Sequence, residues 1–304
     1  MKSKDSRVVI NTISDLHQLL GLNRPQHPLI SLVSFDDVNK VEHDGNFSIV
    51  LNLYTISLKK NEQGKLKYGQ GYYDFDEGVL GMTSPGQMLS SNNNGQYKVS
   101  GWWLLFHPDF LKNYPLAKAI QKMGFFSYDV NEALHLSERE DLQLEKIFQN
   151  IAVEYENAID IYSQDLMIAQ LEVLLNYVKR YYGRQFITRK TINQPVVAKF
   201  ENLLNQYIQT EYLVDGLPTV KYFSDRLNVS PHYLSDLLRK YTGQNTQQHI
   251  HSKLIEKAKA KLSTTDLTVG EIAYELGFEH PQSFNKLFKR KENMTPIDYR
   301  QLFN

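Results

Sequence analysis

The last quarter of the chain carries one pattern twice. Val220, Phe223, Leu227, Leu234, Leu237, Leu238 and Gly243 set it out, and Val269, Ile272, Leu276, Phe284, Leu287, Phe288 and Asn293 repeat it. Each copy reads as a short apolar helix, a tight turn and a second helix with its own polar face. That is the helix-turn-helix layout, whose second helix enters the DNA major groove. A tandem pair is far more specific than one copy, and it implies DNA as the partner.

The second copy is the clearer. Thr268 suits an N-cap, and Glu271 three residues on completes a capping box. Gly277 stands where a helix ends in a left-handed residue, and Pro281 suits the first position of the next helix. Phe284, Leu287 and Phe288 share one face by i, i+3, i+4 spacing, which leaves Gln282, Ser283, Asn285, Lys286, Lys289 and Arg290 outward. Gln and Asn can pair bidentately with adenine, and Lys reaches guanine or phosphate. In the first copy Ser230 caps and Pro231 opens the helix. His232, Tyr233, Ser235, Asp236, Arg239 and Lys240 are expected outward. Asp236 fits two roles, accepting from a cytosine amino group or pairing with a nearby Arg. Between the copies, Gln248–Leu262 reads as a helix that holds the two reading helices in fixed relation.

Charge adds local support. The net charge is zero, yet residues 195–304 carry 14 Lys/Arg against 12 Asp/Glu. Arg239, Lys240, Lys253, Lys257, Lys259 and Lys261 surround one acid, Glu256, and four Lys/Arg lie between Lys286 and Lys291. A charge run is ordinarily a solvated face. Here both runs adjoin a reading helix, so Arg239, Lys240, Lys289 and Arg290 are expected on the DNA backbone.

Ahead of this region the pattern is different. Residues 29–106 show strand and hairpin signals, including Phe47–Leu58, a turn at Gln63-Gly64, Leu66–Phe75, and an Asn92–Gly95 turn before Tyr97–Phe106. Gly69, Gly71, Gly78, Gly81 and Gly86 punctuate them as bulges and turns. Several short strands suggest a small sandwich or barrel. Two helices follow at 138–157, with a Ser137/Glu140 capping box, and at about 162–182. That hairpin either closes the strand core or also forms a dimer interface. Gly183–Gln194, ended by Pro195, is expected as a linker. The resulting plan is a sensor and dimerisation domain at 1–182, a linker at 183–195 and an all-α domain at 196–304.

Residues 196–302 resemble the DNA-binding domain of the AraC/XylS family of bacterial transcription regulators. The likeness rests on Ile272–Phe278, Ser283–Lys289, Thr295–Arg300, Ser230, Tyr233–Ser235 and Lys240–Gly243. The resemblance implies seven helices with two helix-turn-helix units joined by a central helix. It places base reading on His232, Ser235 and Asp236 in the first unit and on Pro281, Gln282, Ser283, Asn285 and Lys286 in the second. Asp236 stands where a basic or polar residue is common. Asn293 replaces a usual glycine, and Asn tolerates φ > 0. The family plan adds a cupin-like β domain with dimerising helices, which makes the whole chain α+β. It also brings a small-molecule effector, for which Tyr54, Tyr73 and Trp103 are pocket candidates against a plain core role. Double-stranded DNA and a second copy through about 138–182 are the expected partners. Contact with RNA polymerase and an activator role are expectations of the same reading. A regulator whose N-terminal domain docks a protein instead of sensing a metabolite is the alternative.

Other chemistries lack their residues. Cysteine is absent, which removes disulfides, thiolate metal sites and thiol nucleophiles. His17, His27, His43 and His107 are scattered, and His249 and His251 at i, i+2 point to different sides of a helix. The Asp74–Glu77 run precedes Gly78 and reads as a strand-end turn. With no phosphate-cradling loop or Ser nucleophile motif, no enzyme, metal or cofactor is expected. The N-terminus lacks a signal-peptide core, and no apolar run reaches 18 residues, so a cytoplasmic chain with no membrane span is expected.

Overall fold

The computed structural model describes residues 7–38, 47–61, 67–68, 71–72, 78–91, 99–211 and 216–303. Within these the chain forms two compact units, 1–187 and 188–304.

The first unit is built on strands. The described ones are β1 (Arg7–Ile10), β2 (Ile30–Ser34), β3 (Phe47–Leu51), β4 (Tyr54–Asn61), β5 (Lys67–Tyr68), β6 (Gly71–Tyr72), β7 (Val79–Thr83), β8 (Gln87–Ser91), β9 (Val99–Phe106) and β10 (Leu134–His135). One sheet runs β10-β7-β4-β9-β2, a second runs β1-β3-β8, and β5 pairs with β6. Ile10 and Leu51 of the second sheet share an apolar cluster with Val33 and Leu105 of the first. Ile13 and Leu16 of α1 (Ile13–Leu19) complete it. Strand β9 has buried side chains on both faces, with Leu104, Leu105 and Phe106 fully enclosed. Gly101 within it has φ +109°, and a Cβ there would meet the Leu58 carbonyl oxygen at 2.2 Å. Only glycine fits so close an approach of two strand backbones. The expected turns at Gln63-Gly64 and Asn92–Gly95, together with Gly69, Tyr73 and the Asp74–Glu77 run, lie outside the described residues.

After a short helix α2 (Leu116–Ala119) come α3 (Glu138–Glu156) and α4 (Ser163–Thr188). The expected Ser137/Glu140 capping box starts α3, with the Ser137 amide donating to Glu140 at 3.0 Å. Arg184 of α4 holds Glu140 through two nitrogens at 2.9 and 2.7 Å and also donates to the His135 carbonyl. Leu144, Ile147, Phe148 and Ile151 bury one face of α3, and α4 buries a wider one that includes Leu171, Leu174, Leu175 and Val178.

The expected linker at 183–195 is corrected. Helix α4 continues to Thr188, and α5 (Lys190–Gln206) begins after the single residue Arg189. The boundary between units falls inside the stretch, and the stretch is helical. Gln185 and Phe186 are buried, and Gln185 bonds the backbone at Ala133 and His135. Tertiary burial thus extends α4 through a polar sequence that local propensity leaves open. Pro195 does not start α5. The first turn closes before it, with the Asn193 amide on the Arg189 carbonyl at 2.9 Å.

The second unit continues with α6 (Val220–Leu227), α7 (Pro231–Thr242), α8 (Thr246–Thr264), α9 (Val269–Glu275), α10 (Pro281–Glu292) and α11 (Pro296–Gln301). Seven α-helices, α5 to α11, are therefore described in it. One core joins them all, from Phe200 and Leu204 through Phe223, Leu234 and Leu254 to Ile272, Phe284 and Phe288. The two repeats share a single interior.

Candidate nucleic-acid interface

Capping residues set out each helix pair. Thr219 accepts from the Tyr222 amide to start α6, and Asn228 ends it in the left-handed region at φ 53°. Ser230 accepts from Tyr233 to start α7, and Gly243 ends it at φ 78°. In the second pair Thr268 and Glu271 form the expected capping box, at 3.2 and 2.6 Å. Gly277 follows at φ 82°, and Asn293 ends α10 at φ 59°. Both left-handed expectations hold, because Gly lacks the clashing Cβ and Asn tolerates that region. The second turn is one residue longer between its left-handed residue and its N-cap, His280.

On α10, Phe284, Leu287 and Phe288 are buried, and Pro281 is half-buried at the first position. Gln282, Ser283, Asn285, Lys286, Lys289 and Arg290 are all exposed. Among the described residues, no hydrogen bond or ion pair engages these six side chains. Helix α10 therefore presents amides, a hydroxyl and cations to solvent from a rigid frame.

Helix α7 differs. Tyr233, expected outward, is buried and its hydroxyl donates to Asn193 at 3.4 Å. The buried face is a doubled i, i+4 pair, Tyr233/Leu237 and Leu234/Leu238, wider than the sequence spacing alone suggested. Ser235 is half-buried, with its hydroxyl 3.1 Å from that of Thr246 at the start of α8. Asp236 pairs with Arg239 at 2.6 Å. The arginine partner is thus present in the chain itself. His232 and Lys240 stand exposed.

The same contrast runs through the cations. Lys253 pairs with Glu256 at 2.9 Å, Lys259 with Glu292 at 2.8 Å and Lys261 with Glu275 at 2.5 Å. Lys257 donates to the Ile208 carbonyl. The cationic run from Arg239 to Lys261 is thus largely engaged inside the unit, and among the described residues Lys240 is its member with no hydrogen bond or ion pair. In the second run, Lys291 reaches Ser252 at 3.4 Å, while Lys286, Lys289 and Arg290 remain available. Positive potential for a polyanion is concentrated on α10.

Helix α8 carries both pairs. Its 19 residues span about 28 Å at the helical rise. Successive major-groove segments on one DNA face are about 34 Å apart. His249 and His251 serve this helix separately, His249 bonding Thr242 at 2.7 Å and His251 bonding Gln247 at 2.8 Å. Burial pushes the pKa of both below the ordinary imidazole value, and Arg290 and Lys291 push His251 further down.

Two of the three expected effector residues, Tyr54 and Trp103, project from opposite faces of the sheet. Tyr54 faces Phe106 across β4 and β9, and it stacks on Phe106 at 5.3 Å and meets Phe126 edge-on. Trp103, three residues before Phe106, projects from the opposite face of the sheet and stacks on Phe35 at 5.9 Å. Tyr73 lies outside the described residues.

Residues 223–302 match the family model described as a helix-turn-helix domain. The chain is 28% identical over 144 residues to the HTH-type transcriptional regulator YtdP of Bacillus subtilis, covering 46% of this chain and 18% of that protein. It is 33% identical over 97 residues to the HTH-type transcriptional regulator YisR of the same organism, covering 32% of this chain and 33% of that protein. The chain thus spans a third or less of these relatives' own length. Among solved structures, the C-terminal domain of the two-component response regulator yesN from Fusobacterium nucleatum is 36% identical, with a TM-score of 0.30, covering 33% of this chain and 96% of that one.

Proposed function

We propose that this chain, whose C-terminal unit is a helix-turn-helix domain of the AraC type, is a sequence-specific DNA-binding transcription regulator working in the cytoplasm. The observation that carries the reading is the outer face of α10, where Gln282, Ser283, Asn285 and Lys286 stand exposed on a capped helix. These are the groups that read base edges, and Lys289 and Arg290 one turn on suit the phosphates. From α7, His232 and Lys240 contribute. Ser235 and Asp236 act through α8 and Arg239 instead of reaching outward.

The first unit, read as cupin-like from its two sheets around one apolar cluster, pairs two copies through α3 and α4 in this proposal. Tyr162, just ahead of α4, and Leu166, Ala169 and Val173 on it follow a four-three-four spacing. Tyr162, Leu166 and Val173 are 62%, 51% and 44% exposed. An apolar seam at that spacing is what a partner helix covers. A protein-docking first unit stands as the second reading, since Tyr54 and Trp103 are already stacked on Phe106 and Phe35.

Selection of full-length protein against random duplex DNA tests the function. The expected result is a bipartite motif with half-sites about one helical turn apart. Recovered sequences no different from the input library would reject it.

A further inference from the structure

We infer that the joint between α8 and α9 is a braced elbow that sets half-site spacing, with Arg300 and Lys261 as its positioning residues. The inference rests on the DNA-binding reading above.

The chain leaves α8 and enters α9 through Thr265–Thr268. The α8 end is closed by Thr265, whose amide and hydroxyl both donate to the Lys261 carbonyl, at 3.1 and 2.7 Å. The next carbonyl, Leu262, belongs to the last turn and has no partner within the helix. Arg300 of α11 donates to it through Nε at 3.3 Å and to the Leu267 carbonyl of the connector through Nη2 at 2.5 Å. One planar guanidinium therefore spans the elbow. A lysine ammonium is a point donor on a flexible stem and cannot reproduce that fork.

Helix α11 is itself anchored to both sides of the joint. Tyr299 meets Phe288 of α10 edge-on at 5.6 Å and lies beneath Lys259 of α8 at 5.4 Å. At the far end of α9, Glu275 pairs with Lys261 of α8. Helix α9 is thus tied to α8 near both ends, which removes rotation about either point. On the other side, Ser235 and Thr242 of α7 bond Thr246 and His249 of α8. The partly exposed ion pair adds little stability. Its consequence is the direction of α10 relative to α7, which is the quantity a bipartite DNA site measures.

The test uses full-length protein and the selected site with one base pair inserted or deleted between the half-sites. The native protein should lose about tenfold or more in affinity at either altered spacing, since one base pair moves a half-site by about 3.4 Å and rotates it. Arg300→Lys should keep its affinity for a single half-site while the spacing penalty falls to about threefold or less. Lys261→Gln should flatten the profile likewise, and joining Lys261→Glu to Glu275→Lys should restore it. The Lys261 series decides the matter if Arg300→Lys does not fold. Equal losses at every spacing, or unchanged profiles, would overturn the elbow. Failure of the native protein to select any DNA would instead reject the underlying reading.

Discussion

Gly277 faces the backbone of Gly216 so closely that a Cβ would stand 2.9 Å from the Gly216 carbonyl carbon. The turn of the second helix pair thereby touches the segment leading into the first. The Tyr207 hydroxyl holds the Gly216 carbonyl at 3.1 Å. Gly277→Ala meets both a left-handed backbone and a filled space. A loss of about 1–2 kcal/mol follows from the conformation and about 1–3 kcal/mol more from overpacking. A urea midpoint equal to that of the native protein would contradict this.

Base reading and phosphate contact separate on α10. Gln282→Ala or Asn285→Ala should relax preference at one base position by about 1–3 kcal/mol. Lys289→Ala or Arg290→Ala should weaken all sequences alike and reduce the salt slope by about one unit. Binding across a randomised operator library distinguishes them, and a loss at one base in the lysine variant would be the wrong outcome.

Asp236 restrains Arg239 at 2.6 Å. Asp236→Asn removes that hold and a carboxylate near the phosphates. DNA affinity should rise and the salt slope steepen by about one unit, while stability changes by about 1 kcal/mol or less. Weaker binding with unaltered base preference elsewhere would show that the pair itself is needed.

The α4 seam predicts the oligomeric state. Full-length protein should sediment as a dimer at tens of micromolar, and Leu166→Glu with Val173→Glu should sediment as a folded monomer. Both side chains are exposed in the single chain, so the change spares the core. A native monomer, or a dimer unaffected by both substitutions, would remove the seam from the interface.

His249 and His251 titrate below the ordinary 6.5 because burial disfavours their charged form. As pH falls through that value the unfolded chain takes up protons first, so this part of the stability is present above it and is lost toward the lower folded values. Urea midpoints should decline from pH 7 to about pH 5.5. His249→Gln should decline less steeply, and identical slopes would exclude His249 as a source.

Local features were legible in the chain. Thr268, Glu271 and Gly277 announced α9 and its end, Ser230 and Pro231 announced α7, and Phe284, Leu287 and Phe288 marked the inner face of α10. Each depends on neighbours within a turn or so of helix, where sterics and hydrogen bonding act directly. Tyr233 was misread because its burial comes from packing beyond its own helix. The helical form of 183–195, within which the boundary between units does fall, was not legible for the same reason, with Gln185 held by residues about 50 positions away. Gly101 gave no turn signal, since its constraint comes from Leu58 on the adjoining strand.

The sequence by itself determined the repeated helix pairs, their caps and the outward chemistry of α10, because periodicity and capping are short-range properties. The tertiary structure alone decided which cations remain available. Lys259 meets Glu292, Lys261 meets Glu275 and Arg300 meets Leu267 across separations of 14 to 33 residues. Such partners are chosen by how helices pack in space, and a count of charges along the chain contains no information about that packing.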